Sequence, residues 1–243
     1  MKQIPQSSDP GGQAAAHGAS AEDLLKTIES QCFIWETVVS DPATGVALMD
    51  RDGRLLYINK QSVRFLFTDN LTPEEIIGKT IAELGFPEDW VAERLRISAE
   101  IIDSGESILL RTVWQGHQQF SWMRSIQSEN PGDLGRVLAI TRRVVAGEES
   151  EHLLHGEYEV IESSLIRLGK LDVLTSRELE VLALVGQGMS TKQIAEVLFR
   201  SAKTIENHRE SISKKFGRVQ GVELARIARE AGLLPSDHDR KRV

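Results

Sequence analysis

The sequence predicts an α+β domain, built from a five-stranded antiparallel sheet with helices, followed by an all-α helix-turn-helix domain. Three observations lead to this prediction. Short strand-like segments separated by turns occupy much of residues 41–145, and capped amphipathic helices follow one another in residues 171–234. Charge is also divided unevenly: residues 171–243 carry 13 Lys and Arg against 10 Asp and Glu, whereas residues 1–170 carry 16 against 26. We therefore expect only the C-terminal part to meet a polyanion.

The overall composition is that of a globular protein. Of the 243 residues, 40% are hydrophobic and 27% are charged, which excludes disorder throughout the chain. The N-terminus has no apolar signal core, and no apolar run approaches the ~20 residues that cross a bilayer. A single cysteine, Cys32, excludes an internal disulfide. We expect a cytoplasmic protein that does not enter a membrane.

The first 40 residues divide in two. Residues 1–20 are rich in Gln, Ser, Gly, Pro and Ala without an apolar period, and they are predicted to be a disordered tail. Residues 21–40 are predicted to form an amphipathic helix, because apolar side chains recur there at steps of three and four. These side chains are Leu25, Ile28, Cys32, Trp35 and Val39.

Residues 41–145 contain five predicted strands and two helical stretches. Strands 45–50 and 54–59 flank an Asp52-Gly53 turn, which favours a hairpin because both turn positions tolerate positive φ. Helices are predicted from Gln61 onward and over 88–104. Three further strands follow at 108–114, 119–126 and 136–144, separated by Gly-containing turns. This order predicts an antiparallel sheet with its helices grouped on one face.

Four features of the same segment, 41–145, are taken together: the element order, the Asp-x-x-Gly turn after the first strand, Asn59 at the end of the second strand, and the strand QFSWMRSI. In these features the segment resembles a PAS sensor domain, which implies a sensory or dimerisation role. A phospho-receiver domain would need a parallel sheet, which the front hairpin opposes. The acyl-homoserine-lactone domain of quorum regulators is less similar, because its spaced Trp and Tyr pattern is not visible.

Three capped helices are predicted in residues 175–216. Thr175 with Glu178 and Ser190 with Gln193 form capping boxes, and Ser201 caps the third helix. A helix, a tight turn and a second helix with an exposed polar face is the arrangement that enters the DNA major groove. The third helix carries Ile205, Ile212 and Phe216 on its apolar face and Lys203, Glu206, Asn207, Glu210 and Lys214 on its polar face.

An ordered set of residues runs through the C-terminal helices: Thr-x-Arg-Glu-x-Glu-Val-Leu (175–182), Gly188, Ser190-x-Lys192-x-Ile194-Ala195, Thr204-Ile205-x-Asn207-His208-Arg209, Ile212 and Lys215. With this set, residues 171–234 resemble the LuxR-type DNA-binding domain of bacterial regulators. The promoter-binding region of sigma factors is similar, but the Asn-His-Arg run and the attached sensor-like half favour the LuxR type. The resemblance implies double-stranded DNA as a partner, and RNA polymerase as a further one.

Six residues of this domain are predicted to contact DNA. Lys192 and Arg209 would contact phosphates, because charge without planar base-pairing geometry positions rather than specifies. Asn207 is the predicted base reader, since its amide matches adenine N6 and N7, and Lys203 could reach guanine. The full predicted set is Lys192, Lys203, Thr204, Asn207, Arg209 and Lys214.

Three other positions of the third helix are interpreted differently. His208 lies between Ile205 and Ile212 on the apolar face, so it is predicted to be packed rather than to contact a base or a metal. Glu206 and Glu210 stand where lysine is common in the family, and carboxylates that face phosphates should weaken non-specific binding. A protein-interaction adaptor whose helix-turn-helix no longer binds DNA is therefore the alternative function.

Residues 146–170 are predicted to form a helical linker. Apolar residues recur there at heptad spacing, which indicates either a coiled-coil seam between two copies or a helix packed on its own domain. A fourth helix, from Gly221 to Ala231, closes the helix-turn-helix domain, and residues 235–243 are predicted to be a tail. The predicted dimer seam consists of Leu154, Tyr158, Ile161, Leu165 and Leu168.

No catalytic site, metal site or cofactor is predicted. His152 and His155 lack further ligands nearby, and residues 18–116 contain no histidine that could hold haem. Val63 stands where flavin photosensors carry their reactive cysteine. Either an apolar small molecule or no ligand occupies the PAS-like domain. The sequence thus predicts a homodimeric, sequence-specific DNA-binding transcriptional regulator, and not an enzyme.

Overall fold

The computed structural model describes residues 35–68, 70–126, 135–147, 153 and 160–243. The chain divides into two units, 1–38 and 39–243. Residues 35–40 are helical. The predicted tail at 1–20 and the first part of the helix predicted at 21–40 lie outside the described residues.

A hairpin opens the second unit, and local side-chain hydrogen bonds explain its form. Strands β1 (Thr44–Asp50) and β2 (Leu55–Ile58) flank the predicted turn, in which Gly53 has φ +79° and the Asp50 carboxylate accepts hydrogen bonds from two turn amides. At the other end of β2, Asn59 caps helix α1 (Lys60–Leu66). Its Oδ1 accepts from the backbone N of Ser62 and of Val46, both at 2.9 Å. One asparagine therefore fixes the start of the helix against β1.

The rest of the sheet follows after two helices, α2 (Pro73–Ile76) and α3 (Glu88–Ser104). Strands β3 (Ile108–Trp114), β4 (His117–Ile126) and β5 (Arg136–Arg143) pair antiparallel with one another or with β1, as predicted. The sheet has the order β2-β1-β5-β4-β3-β6-β7. The predicted five-stranded antiparallel sheet is confirmed, and two parallel strands, β6 and β7, extend it beyond β3.

The predicted linker helix is wrong over Val160–Ile166, which form strand β6. This strand runs parallel to β3, with Leu110 opposite Ile161. Ile161 and Leu165 therefore belong to the sheet, and Leu165 and Leu168 are buried within the chain's own core at 6% and 2% exposure. The heptad spacing predicts a helix, but the backbone N–H and C=O groups at the edge of β3 would then stay unpaired. A strand pairs with them, and this segment therefore forms β6. Leu154 and Tyr158 lie outside the described residues.

The C-terminal helices match their predicted positions. A 3₁₀ helix (Gly169–Val173) leads into α4 (Ser176–Gly186), α5 (Thr191–Val197), α6 (Ala202–Lys215) and α7 (Gly221–Ala231). The side chains of Thr175, Ser190 and Ser201 accept from the backbone N–H groups three residues on, at 3.2, 3.3 and 3.1 Å. The predicted caps thus set where the helices begin.

The last residues are part of the sheet. A 3₁₀ helix (Pro235–Asp239) precedes strand β7 (Lys241–Arg242), which pairs in parallel with Leu165 and Ile166 of β6. The tail predicted at 235–243 is therefore an ordered end of the fold. Two ion pairs also hold this end of the chain in place, one between Arg240 and Glu162 and one between Lys241 and Asp89.

One face of the sheet carries the four-helix domain. Val113 and Ile166 of the sheet share a buried cluster with Leu168, Leu171 and the apolar sides of α4 to α7. Gly232 follows α7 with φ +63°, and a Cβ there would lie 2.6 Å from the carbonyl oxygen of Val144. Only glycine permits this close approach. The opposite face of the sheet packs against α1 and α3. In the described part of the chain, no helix is both long and apolar enough to cross a membrane.

Candidate DNA-binding surface and ligand cavity

Helix α6 presents the predicted polar face to solvent. Ile205 and Ile212 on its inner side are fully buried at 0% exposure, and they anchor the helix on α4 and α5. The residues on its outer side lie at steps of three and four and are all exposed. These are Lys203, Glu206, Asn207, Glu210 and Lys214.

Glu178 of α4 fixes the orientation of α6. Besides capping its own helix through the backbone N of Thr175 at 2.8 Å, its carboxylate accepts from the Ser211 hydroxyl at 2.7 Å and from Lys215 Nζ at 2.6 Å. Burial raises the pKa of Glu178, but the hydrogen bonds from Lys215, Ser211 and Thr175 outweigh it and lower the pKa to about 2. The capping box predicted only the first of these roles. Both partners on α6 come from the tertiary fold.

The two unusual carboxylates of α6 form ion pairs along the helix. Lys203 Nζ lies 3.3 Å from Glu206 Oε2, and Lys214 Nζ lies 2.7 Å from Glu210 Oε1. The hydrogen bond from Lys214 lowers the pKa of Glu210. All four side chains are more than half exposed, so these pairs are weak and can be exchanged for phosphate contacts.

The remaining predicted DNA contacts lie around this face. Lys192 is exposed in the first turn of α5, whereas Thr204 and Arg209 are partly buried. The Thr204 hydroxyl lies 2.8 Å from that of Ser201 and belongs to the helix cap. His208 is also partly buried, in keeping with its position next to the apolar face. Lys192 and the outer side of α6 are therefore the accessible part of the predicted set.

A cavity of about 100 Å³ lies between the helical face of the sheet and helices α1 and α3. Its wall is mainly apolar, and Phe86 and Trp90 stack beside it with ring centroids 4.4 Å apart. Arg94 of α3 is only 8% exposed and lies 5.0 Å from the centroid of the Trp90 ring. Burial lowers the pKa of Arg94 to about 10, so the guanidinium stays charged at neutral pH. Trp90 therefore serves both the core and the cavity wall.

Comparison with known proteins identifies the C-terminal helices. The family model of bacterial regulatory proteins of the luxR family, GerE, matches residues 172–228. The C-terminal domain is of the LuxR type. This confirms the resemblance that the sequence motif predicts, over about a quarter of the chain.

Relatives match stretches of 62 to 80 residues of the chain. The uncharacterized response regulatory protein YgeK of Escherichia coli K12 is 39% identical over 80 residues, which are 33% of this chain and 52% of YgeK. The oxygen regulatory protein NreC of Staphylococcus aureus is 44% identical over 62 residues, 26% of this chain and 29% of NreC. The chain thus spans about half of YgeK and less than a third of NreC.

Solved structures resemble larger parts of the chain at low identity. The VqmA–ligand–DNA complex of Vibrio cholera is 20% identical with a TM-score of 0.45, and the match covers 84% of this chain and 92% of that chain. The PAS domain of the quorum-sensing receptor RpfR of Cronobacter turicensis, in complex with BDSF, is 17% identical with a TM-score of 0.34. That match covers 44% of this chain and 99% of the RpfR chain.

A buried ion pair joins the C-terminal 3₁₀ helix (Pro235–Asp239), which packs against α4, to the sheet. Arg111 of β3 is 0% exposed, and its guanidinium donates to both carboxylate oxygens of Asp237, at 2.8 and 2.7 Å. Its Nε donates to Gln118 Oε1 at 2.6 Å. Asp237 is 2% exposed and also accepts from the backbone N of Leu234 at 2.7 Å. Sequence reasoning missed this pair, because 126 residues separate its members and neither stands in a motif.

The same two strands contact the cavity and the LuxR-type domain through alternate residues. Thr112 and Gln119 line the cavity, whereas their neighbours Arg111 and Gln118 point to the other face of the sheet. This alternation follows from the two-residue period of a strand. The cavity wall and the residues that hold Asp237 therefore lie on the same two strands.

Within the described ranges, no group of three or more His, Cys, Asp or Glu side chains is placed to hold a metal ion.

Proposed function

We propose that this protein is a sequence-specific DNA-binding transcriptional regulator, controlled through its PAS-like domain. The observation that carries the proposal is the exposed polar face of helix α6 in the LuxR-type domain. The opposite face of the same helix is packed into the domain core by Ile205 and Ile212. A helix held in this way can enter the major groove without unfolding its support.

Each accessible residue has a defined role in this proposal. Asn207 reads adenine through its amide, and Lys203 reaches guanine O6 and N7 once it leaves Glu206. Lys192 and Arg209 bind phosphates, Lys214 adds a phosphate contact at the far end of α6, and Thr204 keeps the helix start in place. Since LuxR-type helices act on DNA and carry no reaction, we propose no enzymatic activity. A DNA-binding role also supports a cytoplasmic location.

Control is supported by the shared sheet. The cavity lies on one face of β3 and β4, and the LuxR-type domain lies on the other, where α4 also packs against the 3₁₀ helix that Arg111 and Asp237 tie to the sheet. Occupation of the cavity can shift these strands and so alter the position of the domain that carries α6. This link gives a sensory domain a physical route to the DNA-binding surface.

We also propose that two copies bind one operator. A single reading helix covers only a few base pairs, and dimers of helix-turn-helix proteins reach two half-sites about one helical turn apart. The described part of β6 cannot supply a helical seam. Helix α7 offers a different surface, because Val222 is 85% exposed and Ala225 is exposed one turn further on. A Val222→Glu variant that sediments as a monomer, next to a dimeric wild type, would support this surface.

The central experiment measures DNA binding by the full chain. Fluorescence anisotropy with a random duplex should be repeated over a range of salt. The logarithm of the binding constant should fall linearly with the logarithm of the salt concentration. Lys192→Ala should weaken binding to all sequences and reduce the salt slope by about one. Lys79→Ala removes an exposed lysine in the PAS-like half and serves as the control.

Selection from a randomised duplex pool then tests sequence specificity. Asn207→Ala should relax preference at one base pair and weaken the best site by about 1–3 kcal/mol. A chain that binds neither random nor selected DNA at low salt would favour the adaptor function instead.

A further inference from the structure

The cavity beside α3 combines an apolar wall with a few buried polar side chains. Met49, Leu55, Phe65, Ile81 and Met123 make up much of the apolar part. Such a site holds the apolar body of a small molecule and orients it through the few polar groups. The chemistry of those groups therefore decides what the cavity accepts.

The buried polar groups in the wall include strong hydrogen-bond donors. Gln119 of β4 is 3% exposed, and its Nε2 has no hydrogen-bond partner among the described residues. Arg94 contributes a guanidinium, and its Nη1 donates a hydrogen bond to the carboxylate of Glu93 at 3.0 Å. Ser121 and Thr141 satisfy each other, with their hydroxyl oxygens 2.8 Å apart. A buried amide donor without an acceptor lowers stability, so Nε2 of Gln119 destabilises the unliganded protein.

The charged residues at the cavity favour an anionic ligand over a cationic one. The described residues that line the cavity include the cation Arg94 and no Asp or Glu. The carboxylate of Glu93 is not part of this lining, but it pairs with Arg94 at 3.0 Å and accepts from the hydroxyls of Ser163 and Ser164 at 2.6 and 2.7 Å. An incoming anion therefore meets the donor of Gln119 and a guanidinium with further N–H groups beside its pair with Glu93, whereas an amine would meet donors and no carboxylate in the described lining.

Resting on the proposed sensory function, we infer that this cavity binds a short-chain carboxylate. The carboxylate group accepts hydrogen bonds from Arg94 and from Nε2 of Gln119, and the carbon chain packs on the apolar wall. The volume of about 100 Å³ is below the ~150 Å³ that holds the six carbon atoms of benzene, which limits the ligand to roughly three or four carbons including the carboxylate carbon.

The test uses the full chain and three ligands with the same four-carbon chain: sodium butyrate, 1-butanol and butylamine. Isothermal titration calorimetry should show saturable binding of butyrate, and binding of the alcohol and the amine at least about tenfold weaker, since the alcohol is uncharged and the ammonium group has no acceptor to offer to the donors. Equal binding of the three, or no saturable butyrate signal, would overturn the inference.

Variants separate ligand binding from packing. Arg94→Gln should weaken butyrate binding about tenfold or more. Arg167→Gln is the matched control, because Arg167 also lies 5.0 Å from a tryptophan ring centroid, that of Trp114, but does not line the cavity. Gln119→Met should weaken butyrate binding and raise the melting temperature of the unliganded protein, because it removes an unpaired donor.

A residue with a purely structural role would behave in the opposite way. If Gln119→Met melts lower than the wild type and binds butyrate as tightly, the inference is wrong, even where Arg94→Gln fails to fold. The DNA anisotropy measurement on the same preparation keeps the two proposals apart. DNA binding without butyrate binding rejects the ligand class alone, whereas failure of DNA binding rejects the regulator function.

Discussion

The ion pair between Arg111 and Asp237 should be the main polar support of the contact between the sheet and the C-terminal residues. Asp237→Asn tests it with almost no change in side-chain volume. The substitution removes the negative charge and turns one acceptor oxygen into a donor that faces the guanidinium. A fully buried guanidinium is then left without its closest counter-charge.

The cost follows from the surroundings of the pair. Removing one partner of a buried ion pair costs about 3–5 kcal/mol. Glu162 Oε1 lies 3.6 Å from Arg111 Nη1 and takes up part of the charge, although Glu162 itself is 42% exposed. The expected loss in the free energy of unfolding is therefore near the lower end, about 3 kcal/mol.

Urea unfolding, followed by tryptophan fluorescence and by circular dichroism, measures this loss. Asp239→Asn is the matched control, because it makes the same chemical change two residues on, at a side chain that is 81% exposed. A double variant, Arg111→Met with Asp237→Leu, should recover much of the stability, since apolar residues of similar volume tolerate burial without a partner. The reasoning is refuted if Asp237→Asn loses less than about 1 kcal/mol, or no more than Asp239→Asn.

Three further outcomes are expected. Glu206→Lys and Glu210→Lys should each raise affinity for random DNA and steepen the salt slope by about one, and unchanged slopes in both would place these residues away from the duplex. Glu178, whose pKa is about 2 against an ordinary 4.5, stabilises the fold above pH 4.5 and loses this contribution as pH falls toward 2. The loss is on the order of 3 kcal/mol, and a Glu178→Gln variant that keeps the wild-type acid-unfolding profile would contradict it. Lys215→Met should lower the melting temperature at neutral pH, because Lys215 forms an ion pair with Glu178. It should not relax the base preference of DNA binding, which is the change expected of Asn207→Ala.

The sequence alone determined those parts of the protein whose causes are local. Caps at Thr175, Ser190 and Ser201 and the spacing of Ile205 and Ile212 define the LuxR-type helices and the exposed face of α6. In the same way, the turn at Gly53 and the cap at Asn59 define the first hairpin and the helix that follows. Each of these features depends on residues a few positions apart, so it is visible in the printed order.

Only the tertiary structure decided the linker, the C-terminus and the polar interior. Residues 160–166 have a helical spacing but form a strand, because β3 would otherwise leave a row of hydrogen-bonding groups unpaired at its edge. Arg111 meets Asp237 across 126 positions, and Nε2 of Gln119 is buried in the cavity wall without a hydrogen-bond partner among the described residues. Such contacts depend on which surfaces meet after folding. The spacing of residues along the chain does not contain that information.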